Sequence, residues 1–172
     1  MKAEVEIITK KELSFSKVTY YSLKFEGEKQ TELEKFYERY QETYSESVYY
    51  LKFWIAEIGE KFGANTRYFR PEDNAFALPP PSKELQYIDF ATPKKDMSLR
   101  LYCIVLSPEI VILVNGGIKE SDATRDSPTC WESFMFTSNI ASQIKQMITL
   151  GNLQIEGRTL KRSNSFKLTY KK

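Results

Sequence analysis

A chain of 172 residues and 20.1 kDa, 41% hydrophobic and 28% charged, has the composition of an ordinary globular protein rather than a disordered or fibrous one. Its 25 Lys and Arg against 23 Asp and Glu leave +2, which excludes a strongly basic protein but leaves room for a local basic patch. The absence of histidine excludes more: a Ser-His-Asp or Cys-His nucleophile, an HExxH zinc site, and a ribonuclease built on a histidine pair.

A chain this long buries about 70% of its unfolded surface, enough for one core. A single domain over 1–172 is therefore expected, with the core over about 1–151 and a basic extension over 152–172. The segment Met1-Lys-Ala-Glu-Val-Glu lacks the apolar run of a signal peptide. Leu101 to Val114, the greasiest region, is broken by Ser107-Pro108-Glu109 and is too short to span a bilayer. A cytoplasmic protein is expected, with no membrane partner. Cys103 and Cys130 are too few for a four-thiolate zinc site and are expected as buried free thiols.

Val5 to Thr9 and Val18 to Phe25 read as strands, with Tyr21, Leu23 and Phe25 on one face of the second. Thr31 followed by Glu34 is a capping box, and Leu33, Phe36, Tyr37, Tyr40 and Tyr44 follow at helical spacing. Ser45 and Ser47 interrupt that pattern. Val48, Leu51, Ile55, Ile58 and Phe62 make a second stripe, with Gly63 as its stop. A helical hairpin or one bent helix results. The three prolines Pro79 to Pro81 read as a stiff connector.

The clearest β signal is Leu99 to Leu106, a turn at Ser107-Pro108-Glu109, and a return along Ile110 to Val114, ended by Asn115-Gly116-Gly117. Ser127-Pro128 and Thr129-x-x-Glu132 announce a helix whose inner face is Trp131, Phe134, Ala141, Ile144 and Ile148, with Gly151 as its end. Strand-like pieces follow at Leu153 to Ile155 and Phe166 to Tyr170. The fold class expected is α+β: a mostly antiparallel sheet packed by an N-terminal helical hairpin and a C-terminal helix.

Charge is unevenly placed. Residues 145–172 hold seven basic groups, including Arg158, Lys161 and Arg162, against the single acid Glu156, a net of +6. That asymmetry suggests a polyanionic partner, or else a solvated edge that discourages strand-to-strand association. No phosphate-binding glycine loop is present. The acids Glu72-Asp73, Asp122 and Asp126 lack metal-site spacing and read as solvated turn residues. Arg100 stands out, because its strand neighbours are nearly all apolar. Period two puts Tyr102 on its face, Lys119 follows the returning strand, and Arg67 and Arg70 precede the hairpin with two more cations.

The run Leu99-Arg100-Leu101-Tyr102, Ile110 to Val114 and Gly117-Ile118-Lys119-Glu120 resembles the Arg-strand, turn, apolar strand and Gly-Lys-Arg-Glu end of the RelE/HigB-like toxins of bacterial type II toxin–antitoxin systems. The residue match covers 99–120; the order of elements extends it more loosely. The resemblance implies a RelE-like fold and a metal-independent endoribonuclease, without cofactor, that cleaves messenger RNA, often on the ribosome, and is neutralised by a small antitoxin. It implies Arg100 as the phosphate-stabilising arginine and Lys119 where the family often has a second arginine. Tyr102 joins them through geometry, and Arg67, Arg70, Arg158, Lys161 and Arg162 are candidates for RNA contact. A non-enzymatic protein- or nucleic-acid-binding module on the same fold, and a metal-dependent nuclease using the loop acids, are the alternatives.

Overall fold

The computed structural model describes residues 1–81 and 98–172. Most of the stretch from Pro79 to Ser98 therefore lies outside the described residues. The strands are β1 (Lys2–Ile8), β2 (Thr19–Phe25), β3 (Arg70–Glu72), β4 (Ala75–Leu78), β5 (Leu99–Ser107), β6 (Ile110–Ile118), β7 (Leu153–Glu156), β8 (Thr159–Arg162) and β9 (Leu168–Lys171). The α-helices are α1 (Glu32–Tyr40), α2 (Ser45–Glu57) and α3 (Pro128–Thr149). Seven strands form one sheet in the order β3-β4-β5-β6-β2-β1-β9, with β7 and β8 as a separate hairpin. Among the described residues every strand pairing is antiparallel except β2 with β6. The class is α+β with a mostly antiparallel sheet.

Two apolar layers cover the sheet, and strand alternation decides which residue joins which. Val18, Tyr20, Leu99, Leu101, Cys103, Val111 and Leu113 face α1 and α2, with Trp54 and Phe36 among the fully buried side chains there. Tyr21, Leu23, Phe25, Ile104, Ile110, Ile112 and Val114 face α3. Both faces of β5 and β6 are thus covered, which is why those strands read as continuous apolar runs.

Thr31 caps α1 through both halves of its box: its Oγ accepts the Glu34 N–H, and the Glu34 carboxylate accepts the Thr31 N–H at 3.0 Å. The Leu33 N–H donates to Ser22 Oγ of β2, so the same turn anchors the helix to the sheet. Hydrogen bonding to the Thr31 backbone and to Lys10 holds the Glu34 carboxyl below its ordinary value. Its contribution is present above the unfolded carboxyl pKa and is lost as pH falls through the lowered folded one. Thr31→Ala should cost about 1 kcal/mol by thermal unfolding near neutral pH, with the deficit shrinking in acid.

Four expectations need correction. Glu72, read with Asp73 as a solvated turn residue, instead ends a strand: Arg70–Glu72 and Ala75–Leu78 form the outer hairpin of the sheet, turning at Asp73 with φ 53°. Asn115-Gly116-Gly117 does not end its strand; β6 continues through Ile118 because the two glycines allow close passage of neighbouring backbone. Thr129 does not begin a capping box. Its hydroxyl accepts the Ile118 N–H, and Ser127 Oγ accepts the N–H groups of Glu120 and Ser121, so both tie α3 to β6 and its following loop. Trp131 and Ile148 are not inner-face residues, being 40% and 38% exposed; Cys130, Phe136, Thr137, Ile140, Ala141 and Ile144 are.

The C-terminal strand packs back on the N-terminus: β9 pairs with β1, and the Gln143 side chain of α3 both donates to the Thr169 carbonyl and accepts its N–H. Among the described residues no helix is long and apolar enough to cross a membrane.

Candidate functional site

The residues singled out on β5 and β6 meet at the end of the sheet under the first turns of α3. Leu99, Leu101 and Cys103 take the α1–α2 face, so the intervening Arg100 and Tyr102 take the other, toward α3. Arg100 pairs with Gly117, and a bulge between Leu101 and Cys103 lets Val114 and Asn115 slip past Tyr102. Tyr102 is 0% exposed, packed with Ala77, Cys130 and Phe134, its ring 6.0 Å from that of Phe134. Arg100 is 8% exposed, with one guanidinium nitrogen 3.3 Å from the Leu99 carbonyl it donates to.

Around this floor stands a half-buried rim of Glu72 from β3, Lys119 just after β6, and Thr124 from the loop before α3. The Thr124 hydroxyl points at Glu72 Oε2 from 3.5 Å. The Tyr102 hydroxyl lies against the Cys130 thiol and the Thr124 hydroxyl but reaches neither in hydrogen-bonding geometry. Burial drives its pKa far above that of a free phenol, and the neighbouring Cys130 and Glu72 add to the shift. Tyr102 therefore stays protonated. Burial also raises the Cys130 thiol, while Tyr102, Arg100 and Lys119 pull it back down. That influence places both cations within electrostatic reach of one sulfur.

The arrangement supplies two cations, one carboxylate and a permanently protonated phenol at one spot. Sequence reasoning found Arg100, Tyr102 and Lys119. It missed Glu72, whose acidic turn looked like a solvated loop, and Cys130 and Thr124, which only the packing of α3 brings in. The loop acids form no group of three metal-ligating side chains among the described residues.

The other basic candidates do not join this cluster. Arg70 donates from Nε to the Pro79 carbonyl at 2.8 Å and from a terminal nitrogen to the Pro80 carbonyl at 3.4 Å, fastening the connector after β4. Arg67 places its guanidinium 5.2 Å from the Tyr68 ring centre. Arg158 donates to the carbonyls of Phe15 and Ser16, and Arg162 to the carbonyl of Ile7 at 3.0 Å, clamping the β7–β8 hairpin to β1 and to the β1–β2 connection. Lys161 is left 68% exposed, 4.0 Å from Glu156. Much of the charge on the C-terminal extension is thus spent on the fold.

Compared with known proteins, the chain matches no family model, no curated protein and no solved structure.

Proposed function

We propose that the protein is a RelE-like toxin: a metal-independent endoribonuclease acting on messenger RNA in the cytoplasm, in or out of the ribosome, and neutralised by a small antitoxin protein. The observation that supports this reading is the convergence of Arg100, Lys119, Tyr102 and Glu72 at one end of the sheet. In-line attack by a ribose 2′-hydroxyl on the adjacent phosphate needs a base, a stabiliser of the phosphorane charge and a proton for the departing 5′-oxygen. Glu72 is the carboxylate that takes the 2′-hydroxyl proton. Lys119, at the rim, meets the phosphate and returns a proton to the leaving oxygen, while Arg100 beneath adds positive potential. Tyr102, protonated and roofed by α3, positions the floor and takes no part as a base.

A second reading, a non-enzymatic binding module on the same fold, is favoured by the burial of Arg100 and Tyr102 beneath α3. Induced expression in bacteria, with growth scored and messenger RNA ends mapped, separates the two. The nuclease reading expects growth arrest with new internal RNA ends, both abolished by Lys119→Ala, whose half-exposed side chain can be removed without opening the core. Normal growth with intact RNA from soluble, folded protein would transfer the assignment to the binding module.

A further inference from the structure

We propose that the exposed face of α3 over its first two turns is a docking surface for a basic amphipathic segment of a partner protein. Helical spacing puts Trp131, Met135, Ser138, Ser142 and Lys145 on one stripe of α3. The far half of that stripe is taken by the β3–β4 turn. Asn74 donates to the Ser138 carbonyl at 3.0 Å and to Ser142 Oγ at 2.7 Å, and Lys145 donates to Asn74 Oδ1. The near half is left to solvent, with Trp131 40% and Met135 44% exposed.

Trp131 is exposed but not loose. Its ring centre lies 5.7 Å from that of Phe134, which in turn packs on the buried Tyr102 at 6.0 Å. An indole backed in this way loses little freedom on binding, and the Met135 thioether beside it adapts to the shape it meets. Tryptophan and methionine are among the side chains enriched where proteins touch.

Charge names the occupant. The loop after β6 is folded onto the start of α3, since Ser127 Oγ accepts the N–H groups of Glu120 and Ser121 while the Ser127 carbonyl accepts that of Trp131. Glu120, Asp122 and Asp126 thus surround the helix start, Glu132 follows Trp131, and Asp73 stands in the turn beyond Met135. All five are exposed, and none is ion-paired among the described residues. Arg125 is the exposed cation against them. The half-buried Glu72 and Lys119 offset each other, and Arg100 lies beneath at 8% exposure. Arg70 is turned to the carbonyls of Pro79 and Pro80, and Lys145 lies about 15 Å along the helix from Met135. The macrodipole of α3 adds about half a positive charge. The surface is therefore negative in a chain whose total is +2. Two apolar side chains ringed by unpaired carboxylates select aliphatic anchors flanked by Lys or Arg and repel an acidic segment. The inference stands whether or not Lys119 and Glu72 cleave RNA.

The test titrates the full chain with a helical peptide of about five turns built from Leu and Lys with leucines along one face, its Leu/Glu counterpart, and an oligolysine of equal length. Trp54 is fully buried, so a change in tryptophan emission reports Trp131. The Leu/Lys peptide is expected to shift that emission to the blue and to bind at least tenfold more tightly than either of the others. By anisotropy of the labelled peptide, Trp131→Ala and Met135→Gln should each weaken binding at least tenfold with unchanged circular dichroism. Asp122→Asn with Glu132→Gln should remove the preference for Lys over Glu, whereas Glu42→Gln with Glu46→Gln, exposed acids of the α1–α2 end, should change nothing. Equal binding of the Leu/Glu peptide, undiminished binding to both Trp131→Ala and Met135→Gln, or an equal loss in the Glu42 and Glu46 control would each overturn the assignment. Self-association of the chain that Trp131→Ala abolishes would overturn it too, by giving the surface to a second copy.

Discussion

Gly116→Ala should be among the most destabilising single substitutions in this protein, costing about 3 kcal/mol or more and lowering the melting temperature by about 6–12 °C. A Cβ at Gly116 would lie 1.7 Å from the Arg100 carbonyl oxygen and 2.7 Å from its carbon. Both are backbone atoms of the neighbouring central strand, so no side-chain rotation relieves the clash. The strands must part, and β5 and β6 carry apolar layers on both faces, so parting them disturbs both layers. Gly117→Ala adds a related conflict: its Cβ would come within 2.3–2.6 Å of Thr129, whose hydroxyl holds the start of α3 to β6. Thermal unfolding of each purified variant is the measurement. A midpoint unchanged for Gly116→Ala would mean that the bulge opposite Tyr102 can absorb a methyl group, contrary to the packing described.

The second large effect concerns chemistry alone. Glu72→Gln should reduce RNA cleavage by about 10²–10⁴-fold, the usual contribution of a positioned base, while leaving thermal stability nearly unchanged. Glutamine keeps the shape of the side chain and can still accept from Thr124, so the loss would report the missing base rather than a missing contact. Tyr102→Phe makes the informative comparison. Removing a buried hydroxyl without a hydrogen-bond partner should leave stability unchanged or slightly improved. A Glu72→Gln variant that cleaves at the original rate would remove the carboxylate from the mechanism, and a Tyr102→Phe variant that loses all cleavage would restore the phenol to it.

The elements with strong local signals were legible in the chain itself. Thr31 and Glu34 announce α1, Gly63 ends the π-helical turn Ile58–Phe62 that continues α2 and Gly151 follows α3, with φ of 75° and 78°, and the near-continuous apolar run along Leu99 to Val114 describes a pair of strands buried on both sides. What escaped depends on partners distant in sequence. β3 and β4 are too short to show a period, β3 carries Pro71, and they exist as strands because β5 offers an edge to pair with. Gly116 and Gly117 look like a turn in isolation, yet they serve close approach within a continuing strand. Of the candidate site, the cations could be found, since a charged residue in an apolar strand is conspicuous. Glu72 could not, because an acid after proline in a turn looks the same whether it faces water or Thr124. Burial was equally hidden: nothing local to Tyr102 tells that Cys130 and Phe134, some thirty residues on, will roof it.

The bond pair between Gln143 and Thr169 bears on how copies of this chain behave together. A strand at the margin of a sheet ordinarily offers outward amides and carbonyls to any passing strand. Here a carboxamide from the overlying helix occupies both positions in the middle of β9, imitating the neighbour that a sheet would otherwise recruit. The far margin is blunted by other means, since Pro71 deprives β3 of a donor at its centre. A seven-stranded sheet is thereby finished at two ends by two unrelated residues, and its growth by strand addition is discouraged without closing it into a barrel.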